Sequence, residues 1–291
     1  MASFGFIAVY AVLIAVASVI EVPIARGFAS VQLNLLIRLG SLPVATVALV
    51  MVHGVSVPTG PPMLAGVGIG VLTGVGSIIY CLALIDLPLS LVVVLSNLYV
   101  VITFLLGITL LHEHVTALKI AGLFLTLGGV LLLANPPSSR YAVHSAASVA
   151  KKAPPARGLL LMGGYVVIIG IGAFLEKPAL RSLDATQLNG LMGVAMTAVA
   201  LVAFAFERPR MPMSLRSLGG LGVGAMVGVA SVSYFLGLRS LPVSVAAAAS
   251  NSYIVIAVLL STLVLHQPMT KARGGAIFLT LGGVMLLALG P

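Results

Sequence analysis

Two short motifs, each written twice, carry most of the chemistry open to this sequence. The first is E-x-P-x-x-R, which runs from Glu21 to Arg26 in "EVPIAR" and from Glu176 to Arg181 in "EKPALR"; each copy is followed by Q-L-N. A carboxylate at the end of an apolar run can pair with a cation, close a gate or carry a proton. The second is Ser-Asn-x-Tyr, formed by Ser96, Asn97 and Tyr99 and again by Ser250, Asn251 and Tyr253. Asn offers donors and an acceptor, and Tyr offers an aromatic face with one hydroxyl, a set suited to a carboxylate or an ammonium. Arg38 stands alone inside an apolar run, with Gly193 at the equivalent place in the second copy. His112-Glu113-His114 has metal-ligand residue types, but they lie in one short loop of which the second copy keeps only His266. A metal needs three or four ligands in a defined geometry, so no metal is expected.

The elements that must position these residues are membrane helices. Of 291 residues, 60% are hydrophobic and 7% charged, against about 25% charged in a soluble domain. Apolar runs long enough for a hydrocarbon core of about 30 Å recur throughout. Ten spans are predicted: 4–27, 30–52, 63–85, 88–111, 116–134, 158–180, 186–206, 217–238, 242–265 and 271–289. They fall into two copies, 1–134 and 158–291, joined by a Pro/Ser/Ala-rich cytoplasmic linker at 135–157. "FLTLGGV" at 124–130 returns at 278–284, and "LPLSLVVVLSNLYVVI" from Leu87 aligns with "LPVSVAAAASNSYIVI" from Leu241. Five spans per copy make the second copy inverted. The expected fold is therefore an all-α polytopic membrane protein, with ten transmembrane helices as two inverted five-helix repeats around a central cavity.

Depth and packing leave two readings for most candidates. Glu21 lies about 26 Å along its span, close to the far interface, and Glu176 lies similarly. They read either as interfacial ion pairs with Arg26 and Arg181 that end helices at Pro23 and Pro178, or as gates at opposite mouths; proton coupling is a further expectation. Tyr99 lies roughly 16 Å into its span, so the Ser-Asn-x-Tyr groups read as interhelical glue or as the polar lining of a midplane cavity. Tyr80 and Tyr234 either continue that lining or belong to an interfacial aromatic belt. Arg38 either snorkels or holds a substrate carboxylate. The glycines of spans three and eight read as close-packing surfaces.

"LLHEHVTALKIAGLFLTLGGVLLL" at 110–133 resembles the end of an EamA domain, and Arg38 resembles an arginine that family often carries in its second span. Two such units make a ten-helix transporter of the drug/metabolite transporter superfamily, and the overall look is similar to YddG-type amino-acid exporters. The sequence departs from the pattern in two places. The turn that usually reads Gly-Glu is His112-Glu113, and Tyr99 and Tyr253 lie where a mid-helix proline often sits. The resemblance therefore gives no proline-broken helix here.

The resulting expectation is a secondary transporter that exports small organic solutes, most readily amino acids, aromatic and hydrophobic ones included. Its site would lie at the midplane between the repeats. A multidrug or cation exporter of the same superfamily is the alternative, although it would want a carboxylate at mid-depth, and the spacing places none there. An intramembrane enzyme is disfavoured, because the five histidines lie in or beside loops and only Asp86 and Asp184 could form a metal cluster. No catalytic residue, cofactor or nucleic-acid partner is expected; the partners are a small-molecule substrate and the lipid bilayer, around a monomer. The one cysteine, Cys81, forms no disulfide within the chain. Ten Lys and Arg residues on one side, among them Lys151, Lys152, Arg208 and Arg210, face four on the other, Lys119, Lys177, Arg181 and Arg239. That bias puts both termini outside in a multi-pass protein of a bacterial inner membrane.

Overall fold

The computed structural model of the chain describes residues 2–25, 27–54, 58–87, 92, 95–133, 156–208, 214–264 and 271–289. Every regular element among them is helical: α1 (Ala2–Ala25), α2 (Ser30–His53), α3 (Pro61–Asp86), α4 (Tyr99–Leu111), α5 (Ala117–Leu133), α6 (Ala156–Ala179), α7 (Ala185–Glu207), α8 (Leu215–Ser240), α9 (Val243–Ser250), α10 (Tyr253–Val264) and α11 (Lys271–Leu289). Among the described residues seven stretches are long and apolar enough to cross a membrane, the last running through the α9–α10 junction, and α4, α5 and α11 are shorter apolar helices. Lipid offers no partner for backbone N–H and C=O groups, so helices that satisfy their own bonds are the stable solution. Large apolar side chains such as Phe206 (85% exposed) and Phe278 (79%) stand on the outer surface, where hydrocarbon rather than water covers them. The chain is a multi-pass membrane protein.

The inverted repeat is visible contact by contact. A methyl group added at Gly70 on α3 would come within 2.7 Å of Ala195 on α7, and one added at Gly40 on α2 would reach the backbone of Gly224 on α8 at 3.0 Å. Positions 40 and 195 are repeat equivalents, as are 70 and 224. Gly74 lies against Val199 and Gly228 against Val44 in the same way. The two "FLTLGGV" segments pack on each other, Thr126 against Gly283 and Thr280 against Gly129. Small residues let helix backbones approach without a side chain between them. Here each close approach is made twice, once by each copy.

The fourth and ninth spans are broken, although neither holds a proline at the break. Asn97–Leu98 and Asn251–Ser252 are turns. Around them the amides bond three residues back, Val101 to Leu98 at 3.0 Å and Ser252 to Ala249 at 3.0 Å, which is the tighter 3₁₀ pattern. Asn97 and Asn251 are 3% and 2% exposed. Asn competes for backbone bonds, so it interrupts a helix where the resemblance would have looked for proline. The positions outside the described residues include Arg26, His266 and the linker from 135 to 155.

The close approach at Gly224 is directly testable. Gly224→Ala would drive a Cβ into the Ile37 carbonyl of α2, whereas Gly222 two residues away has nothing within 4 Å. Gly224→Ala is expected to destabilise by about 1–3 kcal/mol, read as a lowered unfolding midpoint in detergent. Gly222→Ala is expected to leave the midpoint unchanged or to raise it, since Ala favours the helix.

Candidate functional site

A cavity of about 300 Å³ lies inside the bundle and takes its walls from both repeats. Arg38 reaches it from α2, Ser77 from α3, Tyr99 from the start of α4, Glu176 from α6, Tyr234 from α8 and Ser250 from the end of α9. Tyr99 and Ser250, which share a hydrogen bond, flank the two helix breaks. Broken helices place backbone dipoles and polar side chains at a cavity wall inside the membrane. Tyr10 and Tyr165 also line the cavity, and they are repeat equivalents 155 residues apart. Tyr10 packs on Tyr234 with ring centroids 5.2 Å apart, and Tyr165 packs on Tyr80 at 5.3 Å. One contact is the inverted copy of the other.

Three lining residues keep buried polar atoms without a hydrogen-bond partner: Arg38 Nε, Glu176 Oε2 and Asn189 Nδ2. Glu176 is 7% exposed and Asn189 6%. The Tyr234 hydroxyl is the side-chain neighbour of the Glu176 carboxyl. The Arg38 guanidinium donates to Ser77 Oγ at 3.0 Å, and Ser77 donates in turn to the Thr73 carbonyl at 3.0 Å. A buried polar atom left unpaired costs about 1–3 kcal/mol, and more if charged. A polar molecule that pairs with these groups recovers that cost.

The placements change several expectations. Glu176 is no interfacial ion pair with Arg181: it is buried in the cavity wall with Tyr234, while Arg181 is exposed in the turn after α6. The spacing argument that no carboxylate lies inside the bundle therefore fails. Glu21, the equivalent residue, is half-buried and lies within electrostatic reach of Tyr80 and Tyr253. Neither these three nor Ser96, Asn97 and Asn251 line the cavity. The sets Glu176–Tyr234–Tyr99 and Glu21–Tyr80–Tyr253 are inverted copies of one another, and only the first faces the cavity. Pro23 and Pro178 do not stop their helices at once, since α1 continues to Ala25 and α6 to Ala179.

Residues 156–289 match the EamA-like transporter family. The EamA-like segment runs from α6 through α11 and so contributes Tyr165, Glu176, Asn189, Tyr234 and Ser250 to the cavity. No curated protein matches the sequence. Among solved structures, one described only as the crystal structure of a protein superposes with a TM-score of 0.84 at 16% identity, over 99% of this chain and 96% of that one. That likeness is one of fold.

Two cross-links, from Glu113 and His53, tie the EamA-like segment to the first repeat at one end of the bundle, the end where α2, α6 and α8 finish, and a third, from Lys177, lies within the segment. Glu113 of the first repeat accepts from Val243 N at 2.6 Å, from Ser244 N at 3.3 Å and from the Ser244 hydroxyl. A carboxylate there satisfies amides at the N-terminus of α9 and matches the helix dipole. Lys177 Nζ donates to the carbonyls of Leu238, Arg239 and Leu241 at 2.7–3.0 Å. His53 pairs with Asp184, which caps α7 by accepting from Thr186 N at 2.8 Å and Gln187 N at 3.0 Å. Partial burial pushes the Asp184 carboxyl up, but the hydrogen bonds from Gln187 and Thr186 outweigh it and hold it below its ordinary value. Gln187 returns a bond to Asp184 N, and Gln32 does the same for Ala29 N; the doubled Q-L-N is thus a helix-start signal. At the opposite end the ion pair among the described residues is Asp86 with Arg157 at 3.6 Å. His112 takes the left-handed conformation, φ 52°, in the place where the resemblance has glycine, and this aims Glu113 back at α9.

Glu113→Gln keeps the shape and removes the charge. It is expected to weaken the cross-link by about 1.5–3 kcal/mol, the worth of hydrogen bonds to a charged group. The amides of Val243 and Ser244 should then exchange faster in hydrogen–deuterium exchange.

Proposed function

We propose that the chain is a secondary transporter of the drug/metabolite transporter superfamily that exports small organic solutes, amino acids first among them, by alternating access. The observation that carries this reading is the doubled Glu–Tyr–Tyr set. One copy is buried against the cavity and the other is turned away from it, although the sequence writes both alike. Two equivalent sets in two environments are what a two-state machine made of inverted halves displays when caught in one of its states. The halves 1–134 and 158–291 then exchange roles, and the cross-links of Glu113 and His53 between them break as the cavity changes the face it serves.

Amino acids suit a cavity that offers a guanidinium, a carboxylate, hydroxyls and aromatic faces. The kinship to YddG-type exporters belongs with this reading, as do a single chain as the working unit, since the cavity is complete within one chain, and a bacterial inner membrane. The count of ten basic residues against four sets the cross-linked end outside. Glu176 and Glu21 are the groups through which a proton would couple.

Counterflow into proteoliposomes, with a panel of amino acids and with or without a pH gradient, tests this. At least one amino acid is expected to accumulate, with Tyr99→Ala reducing the rate about tenfold or more, the cost of a lost aromatic contact and hydrogen bond. Movement of no amino acid under any gradient would overturn the reading.

A further inference from the structure

We propose that the cavity is built for an elongated zwitterion, with a carboxylate on Arg38 and a cationic group several bonds away on Glu176, as in lysine, ornithine or an ω-amino acid. The inference rests on the transport reading and narrows its substrate class.

The register of α3 against α6 gives the offset of the two groups along the bundle axis. These helices run antiparallel in contact, with Gly172 against Thr73 (2.8 Å to Cγ2 for an added methyl) and Gly76 against Ile169 (2.6 Å to Cδ1). Each pairing has the same residue sum, so Ser77, which holds the Arg38 guanidinium, is level with Ile168. Glu176 lies two turns further along α6. At about 1.5 Å per residue the two levels differ by about 12 Å. Helical side chains lean toward the N-terminus of their own helix, which carries the Glu176 carboxylate back toward Arg38 and narrows the gap to roughly 8–10 Å. The two are not an ion pair, and each keeps an unpartnered polar atom in the same cavity.

A neutral α-amino acid cannot answer both poles. Its ammonium and carboxylate flank one carbon, less than about 3 Å apart. A chain of five or six bonds extends about 6–7 Å, and a charge-assisted hydrogen bond of about 2.8 Å at each end, set at an angle, completes the gap. The wall between the poles suits such a chain. Ile169 and Ala173, one turn apart on α6 and between the two levels, both line the cavity, as does Met192 from α7. They offer methylene-compatible surface with no competing charge. A ligand of this kind pairs Arg38 and Glu176 at once and leaves neither charge alone in the bundle.

Purified protein in lipid nanodiscs would be titrated calorimetrically with L-lysine, 6-aminohexanoate, L-norleucine, L-phenylalanine and cadaverine. Lysine and 6-aminohexanoate are expected to bind about tenfold or more tightly than norleucine, which lacks the distal cation, and than cadaverine, which lacks the carboxylate. Glu176→Gln is expected to erase the preference for lysine over norleucine, and Arg38→Gln the preference for lysine over cadaverine. The wild-type series decides the matter even if a variant fails to fold. Norleucine or phenylalanine binding as tightly as lysine overturns the proposal in favour of a neutral amino-acid site. Cadaverine binding as tightly as lysine overturns it in favour of a simple cation site, and so does absence of binding by both lysine and 6-aminohexanoate. The transport reading fails or stands separately: counterflow of phenylalanine or leucine without lysine sinks the elongated ligand and keeps the exporter, whereas lysine binding without any counterflow keeps the site and sinks the exporter.

Discussion

Five membrane crossings per repeat force the second copy of the unit to enter the bilayer from the opposite side, and the rest of the structure follows from that inversion. Each tight helix contact appears twice, as with Gly70 and Ala195 against Gly40 and Gly224. Six of the seven tyrosines form three repeat pairs, 10 with 165, 80 with 234 and 99 with 253. The ring contacts of the first two pairs are made once in each orientation. A perfectly symmetric bundle would offer two identical half-sites to two faces. What makes this one a device is the difference between equivalent positions: Glu176 buried against Tyr234, Glu21 half-buried and off the cavity, Arg38 opposed by Gly193.

Keeping Glu176 inside the bundle costs energy that its surroundings must offset. Burial of a carboxylate is expensive unless hydrogen bonds and opposite charge answer it. Tyr234 lies beside the carboxyl, and Glu176 Oε2 keeps no hydrogen-bond partner at the cavity wall. Lys177, the very next residue, turns its ammonium away from the cavity to the last carbonyls of α8, where a cation matches the helix dipole. Adjacent residues of opposite charge thus serve a binding wall and a helix end.

The architecture was legible because inversion leaves its mark in one dimension: an odd number of apolar runs, repeated at a nearly constant offset. The cavity was legible only in part. Of the residues marked by Ser-Asn-x-Tyr, by the lone arginine and by the tyrosine pair 80 and 234, Tyr99, Ser250, Arg38 and Tyr234 line it, and Ser96, Asn97, Asn251, Tyr253 and Tyr80 do not. Tyr99, Tyr234, Glu176 and Ser250 line it without their repeat equivalents, whereas both members of the pairs Tyr10–Tyr165 and Ser77–Ser231 do. Tyr10 and Tyr165 belong to neither motif, although they obey the same offset as E-x-P-x-x-R. Alignment of all tyrosines, rather than of motifs, would have found them. Glu176 was misjudged because its helix end was equated with the membrane interface. The junction of α8 and α9 is held to that end by Lys177, a tertiary contact with no local signature. Glu113, a metal-ligand type by sequence and the acidic residue of the family turn by resemblance, caps a helix of the other repeat, a partner 130 positions away in sequence that no spacing rule reaches.

Exchange between two inverted states is the central claim, and distances at the two ends of the bundle test it most directly. In a Cys81→Ala background, spin labels would be placed at the exposed positions Val115 and Arg181 on the cross-linked end, and at Ala29 and Leu215 on the other. Pulsed electron resonance in liposomes would then follow each pair while a transported amino acid is added. The account predicts two populations at each end, with the long distance growing at one end as the short distance grows at the other. A single distance at both ends, unmoved by substrate, would contradict it.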